Sequence, residues 1–244
     1  AGGFDMPKIM GSSSTFIDGK FGGHGGRVLK TGDVLRVNKN CLIDSIESFN
    51  EKYIPKITNN WTIGVIPGPQ PTGEFLKPEY LETLTTSEYE VNFNSARTGV
   101  RLNGPVPEWV REDGGEAGLH PSNIHDNPYA VGTMDLTGDQ PILLGPDGPS
   151  LGGFVCSVTT AKGEMWKLGQ LHPGDKVHFK LLNLEEAEII RKCHESNLKH
   201  EYKEIKMPER KEEITADYAI LAREHVHDTD IVVRLDGEEN VLVE

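Results

Sequence analysis

A chain of 244 residues with 36% hydrophobic and 26% charged side chains is long enough to bury a core and too apolar to be disordered. Its formal charge of −13 argues against nucleic acid or an anionic membrane as the main partner, since both reward positive surface. No apolar run approaches the ~18 residues of a membrane-spanning helix and no charged-then-apolar leader opens the chain, so a cytoplasmic setting is expected.

Cys41, Cys156 and Cys193 are odd in number and widely spaced, which suits free thiols in a reducing compartment. No CxxC pair points to structural zinc. Both ends read as interior sequence: Ala1-Gly2-Gly3-Phe4 lacks an initiator Met, and the last residues form an apolar strand pattern. A piece of a longer polypeptide is expected.

Residues 1–37 are glycine-rich with short apolar runs. Phe21 to Arg27 reads FGGHGGR. It is either a loop wrapped round a ligand or a connection that needs positive φ. Lys30-Thr31-Gly32-Asp33 predicts a turn into a strand over Val34–Val37. Leu42, Ile46, Phe49 and Tyr53 share a face of a short helix over 40–54, ended by Pro55. Trp61–Ile66 reads as a strand and Pro78–Leu84 as a short helix with proline in its first turn. Strands are expected at Tyr89–Phe93 and Val100–Leu102.

Residues 103–130 read as loop. Strands come next at 131–136 and 141–144, around Gly138-Asp139, and at Phe154–Thr159. Residues 171–179 repeat the pattern L-x-x-G-D-x-[VL]-x-[VF] of residues 29–37, so similar turns should enter similar strands. Asn183 and Glu186 have the spacing of a capping box, which starts a helix running to Leu198. Glu201–Glu213 is a charged surface segment. Ile231–Leu235 and Val241–Val243 flank the turn Asp236-Gly237 as a hairpin. Short strands between frequent turn signals give a mainly β fold with a few helices (α+β), barrel-like in type.

Candidate chemistry concentrates in residues 92–155. His225 and His227 alternate and could share a strand face, but no HExxH-like spacing supports a metal. Neither Gly11-Ser12-Ser13-Ser14 nor Pro149-Ser150-Leu151-Gly152 has the setting of a serine nucleophile. GPDGPSLGG, 145–153, is either a ligand-approaching anion nest or a tight corner. HPSNIHDNP, 120–128, gathers neutral amides, an Asp and two His. That mixture suits a small polar substrate such as a urea, whose carbonyl needs donors and whose NH2 groups need acceptors; Asx turns within the loop are the alternative. Arg97 can hold a carboxylate with its planar fork or pin its own loop.

The motifs NSARTGVRLNGP, HPSNIHDNPYAVGTMDLTGDQPILLGPDGPSLGGFV and GSSSTF with WTIGVIPGPQ resemble the carboxyltransferase domain of urea carboxylases. The likeness is to its first half, the part similar to allophanate hydrolase subunit 2 and to the C subunit of 5-oxoprolinase. It implies a cyclophilin-like β-barrel over 1–206, a linker at 207–218, and at 219–244 the start of a second half related to allophanate hydrolase subunit 1. It also implies ATP-dependent biotin chemistry. A carrier domain not in this chain delivers carboxybiotin, a biotin carboxylase domain charges it, and the carboxyl group passes to urea, or to guanidine, giving allophanate from urea. On that reading Asn123 and Asp126 are catalytic, and Asn127, His125, Arg97 and Asp147 bind substrate. Gly148, Gly152 and Gly153 shape the biotin pocket. A non-catalytic module or a 5-oxoprolinase subunit of the same superfamily is the alternative.

Overall fold

A computed structural model describes residues 3–37, 51–71, 73–199, 207–210 and 213–244. Residues 1–50 and 51–244 form two compact units.

In the first unit, β1 (Thr15–Phe16) pairs antiparallel with β2 (Phe21–Gly22), and the Phe16 and Phe21 rings meet edge to face at 5.4 Å. The glycine-rich run behind β2 is conformational in origin. Gly26 has φ +64°, and a Cβ there would lie 2.2 Å from the Lys20 carbonyl oxygen. The strand expected over Val34–Val37 is not a ladder. It makes one isolated bridge, Phe4 to Val37, and leaves Val34 and Val37 exposed, since no second strand flanks it among the described residues. The helix expected over 40–54 lies outside the described residues except for a 3-10 turn at Glu51–Tyr53.

The second unit is built on a closed barrel. Its elements are β3 (Asn60–Pro67), α1 (Tyr80–Thr86), β4 (Tyr89–Val91), β5 (Val100–Asn103), β6 (Asn123–Pro128), β7 (Thr133–Thr137), β8 (Gln140–Leu143), β9 (Leu151–Phe154), β10 (Cys156–Thr160), α2 (Met165–Leu168), β11 (Lys176–Leu181), α3 (Leu184–Leu198), β12 (Ile220–Val226), β13 (Thr229–Leu235) and β14 (Val241–Val243). The barrel order is β10-β3-β11-β4-β5-β8-β7, closed by β7 against β10. Only β3 and β11 among these barrel neighbours run parallel. Closure leaves no bare edge in the barrel itself.

Strand alternation fills the barrel. Trp61, Ile63 and Val65 of β3, Val177 and Phe179 of β11, Leu143 of β8 and Val158 of β10 enter one buried cluster. Beyond Val65 the alternation in β3 gives way to continuous burial. Ile66 turns outward onto a second cluster with Ala161, Leu182 and Ala187 of α3. The mainly β, barrel-type reading of the sequence is what the structure shows.

α3 begins with the capping box. Asn183 Oδ1 accepts from the Glu186 amide at 2.8 Å, and Glu186 Oε2 accepts from the Asn183 amide at 2.9 Å. Asn183→Ala should lower stability by about 1 kcal/mol in thermal denaturation followed by circular dichroism. A loss too small to measure would mean that Tyr218, whose hydroxyl accepts from the Leu184 amide at 2.8 Å, holds the helix start alone.

The two Gly-Asp turns have the same local geometry. Gly32 and Gly174 have φ +94° and +89°. Each Asp amide donates to the carbonyl three residues back, and each Asp carboxylate accepts from that residue's amide, Lys30 at 2.7 Å and His172 at 2.9 Å. The segments beyond the turns differ: β11 is fully laddered, residues 34–37 are not. The echo is therefore one of turns only.

Three further expectations change. Residues 103–130 are not all loop, since Asn123–Pro128 is a strand. Phe154–Thr159 is broken at Val155 into β9 and β10. His225 and His227 do not share a face, because His227 sits in the β12–β13 turn with φ +55° and His225 pairs with Asp230 at 2.7 Å. The hairpin around Asp236-Gly237 is present as β13 and β14, with β12 adding a third strand. The segment 201–213 lies largely outside the described residues. No helix among the described residues is long and apolar enough to cross a membrane.

Candidate functional site

β6 and β9 form a two-stranded ribbon separate from the barrel sheet. Asn123 faces Phe154, Asn127 faces Gly152 and Pro128 faces Leu151, with a register shift between the first two pairs. The ribbon explains two of the three glycines. A Cβ on Gly152 would lie 2.6 Å from the Tyr129 hydroxyl oxygen, and one on Gly153 would lie 2.8 Å from the Ile124 carbonyl oxygen and 3.2 Å from Asp126 Oδ1. Gly148 is crowded by the Thr98 carbonyl oxygen at 2.9 Å. None of the three has positive φ, so close approach, not left-handed backbone, requires glycine there.

The polar residues of the 120–128 segment do not converge on one point. Positions 123 and 127 stand four residues apart on an extended strand, about 13 Å at ideal rise. The Asn123 side-chain amide donates to the His120 carbonyl at 3.1 Å. His120 is itself held by Ser122 at 3.0 Å and lies 3.3 Å from Asp139, which also accepts from the Trp109 indole at 3.0 Å. His125 is exposed and 3.6 Å from Glu116. Asn127 is buried at 9% exposure. Its Nδ2 donates to the Gly152 carbonyl at 3.2 Å, and its Oδ1 is buried without a donor.

Arg97 and Asp147 meet across the glycine-rich loop at 3.4 Å, both more than half exposed. An exposed pair of this kind contributes little to stability. Its position matters more, because Arg97 and Asp147 stand together at the rim of a cavity of about 670 Å³.

That cavity and a second, of about 330 Å³, lie on opposite faces of the β5–β8 wall. Val100 and Leu143 face the larger one, with Trp166 and Met165 of α2. Ile142 and Leu144, their alternating neighbours, face the smaller one. The glycine-rich loop borders both, with Pro146 and Asp147 on one side and Pro149, Leu151 and Gly152 on the other. The smaller cavity also contains Tyr129 of the ribbon end and Asp135 of β7.

Asp135 is 4% exposed, and Thr137 Oγ1 donates to its Oδ1 at 2.9 Å. Burial pushes its pKa up to about 6, and the Thr137 bond offsets this only in part. Burial, then the Asp135 charge, raises the Tyr129 phenol, whose oxygen accepts from the Phe154 amide at 2.9 Å. Burial and then Asp135 also raise the neighbouring Cys156 thiol, which leaves it a poor nucleophile at neutral pH. Neither Asp135 nor Tyr129 stood out in the sequence. The available signal was an acid within the otherwise apolar run Met134-Asp135-Leu136, a place where carboxylates seldom sit. Among the described residues no three His, Cys, Asp or Glu side chains are placed to hold a metal.

A family model described as carboxyltransferase domain, subdomain A and B, matches residues 1–181. The chain is 45% identical over 204 residues to the urea amidolyase of Saccharomyces cerevisiae, covering 81% of this chain and 11% of that protein. It is 31% identical over 188 residues to the C subunit of 5-oxoprolinase from Escherichia coli, covering 77% of this chain and 56% of that protein. Among solved structures, the urea amidolyase of K. lactis matches with a TM-score of 0.81 at 38% identity, over 100% of this chain and 16% of that one. The Kluyveromyces lactis urea carboxylase matches with a TM-score of 0.76 at 38% identity, over 100% of this chain and 23% of that one. The chain therefore spans less than a quarter of the urea enzymes it resembles.

Proposed function

We propose, because this chain belongs to the carboxyltransferase domain family of subdomains A and B, that it is the part of a biotin-dependent urea carboxylase in which a carboxyl group passes to urea to give allophanate. The observation that carries this reading is the 45% identity over 204 residues to a urea amidolyase. On this reading residues 219–244 begin the second carboxyltransferase half. Biotin carboxylation and the carrier then belong to domains beyond this segment.

The residues present fit biotin. Its bicyclic body is apolar with one polar ureido edge, and the 670 Å³ cavity offers matching walls from Val100, Leu143, Met165 and Trp166. Arg97 at the rim is the cation that would hold a carboxylate by its planar fork, and Asp147 orients the guanidinium. When bound, biotin supplies a ureido nitrogen that brings the carboxyl group in and takes up a proton from the acceptor. The chain's own part is to hold both reactants, exclude water and stabilise developing charge.

The candidate urea ligands are supported unequally. Asn127 is the best placed, because its buried Oδ1 has no donor in this structure and could accept from a urea NH2 once a substrate or the second half closes the site. Asn123 already spends its amide on His120, and Asp126 lies beside Gly153 on the ribbon.

In a full-length enzyme carrying this chain, Asn127→Ala should slow urea-dependent ATP hydrolysis about 10- to 100-fold, the equivalent of one or two buried hydrogen bonds. Urea-independent labelling of biotin from bicarbonate should continue at its normal rate. Asn123→Ala should do less. Absence of urea-dependent label transfer in the unmodified enzyme would overturn the function. Equal loss of both half-reactions in Asn127→Ala would make that residue structural.

A further inference from the structure

The 330 Å³ cavity is built unlike a packing fault. Its walls are apolar, from Ile142, Leu144, Leu151 and Phe154, yet two nearly buried polar groups open into it. Asp135 is 4% exposed and Tyr129 8%. A buried carboxylate normally finds a cation or several N–H groups. Asp135 has one hydroxyl, from Thr137. Arg101 also lines the cavity, but the hydrogen bond it makes runs to the Asn94 carbonyl at 2.8 Å.

Tyr129 supplies the complement. Its oxygen accepts from the Phe154 amide, which leaves the O–H proton to donate. An acceptor and a donor therefore face one small apolar space. A neutral group with N–H on one edge and a carbonyl on the other satisfies both. An anion would meet the Asp135 charge, and the Arg101 guanidinium in the lining disfavours a cation.

We propose that this cavity is a second binding site, taking a small neutral ureido compound whose N–H edge donates to Asp135 and whose carbonyl accepts from the Tyr129 hydroxyl. Urea as its natural occupant rests on the carboxyl-transfer reading above; the binding chemistry does not.

The probe is 2-imidazolidone, a neutral cyclic urea, added to the 244-residue chain. The readouts are the Asp135 carboxyl carbon and the Tyr129 ring signals by NMR. Saturable shifts at both are expected. Asp135→Asn should weaken binding at least tenfold, since an amide presents donors where the ligand also donates. On the unmodified chain, 1,3-dimethyl-2-imidazolidinone, which has no N–H, should also bind at least tenfold more weakly, and this arm does not depend on any variant folding. Equal binding of the dimethyl compound, unchanged binding by Asp135→Asn, or no saturable shift at Asp135 overturns the proposal. In a full-length enzyme, Asp135→Asn should raise KM for urea at least fivefold with biotin labelling unchanged. If imidazolidone binds as expected and that KM does not move, the ureido site stands and urea is not its occupant. If the unmodified full-length enzyme does not turn urea over, the carboxyl-transfer reading fails alone.

Discussion

Asp175→Ala should destabilise the unit spanning residues 51–244 by about 2–3 kcal/mol. The carboxylate is 2% exposed. Oδ1 accepts from Asn59 Nδ2 at 2.9 Å, and Oδ2 accepts from the Trp61 indole at 3.2 Å and the His172 amide at 2.9 Å. These bonds join the start of β3, the turn before β11 and, through the Asp175 carbonyl that accepts from the Val91 amide at 2.9 Å, the end of β4. Alanine would remove the acceptor of all three donors; Asn59 and His172 are exposed and can turn to water, but the Trp61 indole is not. Trp61 is 2% exposed and packed edge to face on Trp166 at 6.0 Å, so its N–H cannot turn to water. Burial alone would raise the Asp175 pKa; the bonds from His172, Asn59 and Trp61 outweigh it and leave the pKa lowered. A lowered acid stabilises the fold above its unfolded pKa near 4 and loses that contribution as pH falls, so the gap between the two proteins should narrow in acid. Guanidinium denaturation at pH 7 and pH 3.5 measures both. A loss under about 1 kcal/mol at neutral pH would show that water replaces the carboxylate.

The Asp175 turn also separates local from long-range information in the sequence. L-x-x-G-D announces a local turn, and both copies make it, because the bonds involved span three residues. Whether a strand grows out of the turn depends on partners far along the chain. Residues 176–181 gain β3, more than a hundred positions earlier, while residues 34–37 gain only a bridge to Phe4. Strands whose apolar residues point into the barrel, such as Trp61–Ile66, were legible from alternation. The capping box of α3 was legible for the same local reason. The β6–β9 ribbon was not. It lies outside the barrel, so Asn123–Pro128 need no period of two, and its glycines read as loop although Tyr129 and the Ile124 carbonyl demand them. The candidate site suffered most. Amide-rich spacing suggested convergence of Asn123, Asp126 and Asn127, and an extended strand spreads them. Arg97 and Asp147 were each singled out, but nothing local showed that they would pair.

Asp135→Asn should stabilise the same unit by about 1–3 kcal/mol at pH 7.5, against the usual direction for a buried substitution. The carboxyl is 4% exposed, and its pKa rises from 3.8 to about 6. A shift of about two units corresponds to about 3 kcal/mol between the two protonation states, and the amide recovers less because its own N–H groups need partners. The sign comes from linkage. The folded state holds this proton more tightly than the unfolded state. The stability that protonation confers is complete below about pH 4 and is lost as pH rises through 6. Asparagine imitates the protonated form at every pH. Its advantage should therefore be greatest above pH 7 and disappear near pH 4. Carboxylates common to both proteins cancel in the difference, which isolates Asp135 from the rest of the acid titration. Parallel denaturant titrations from pH 4 to 8 give that difference directly. A neutral-pH carboxylate that weakens its own fold, beside an apolar cavity and a tyrosine with a proton to donate, has the balance expected of a residue kept for what it binds. If Asp135→Asn is less stable at pH 7.5, or the difference does not change with pH, the carboxylate has a partner that stabilises its charge and the cavity loses its acceptor.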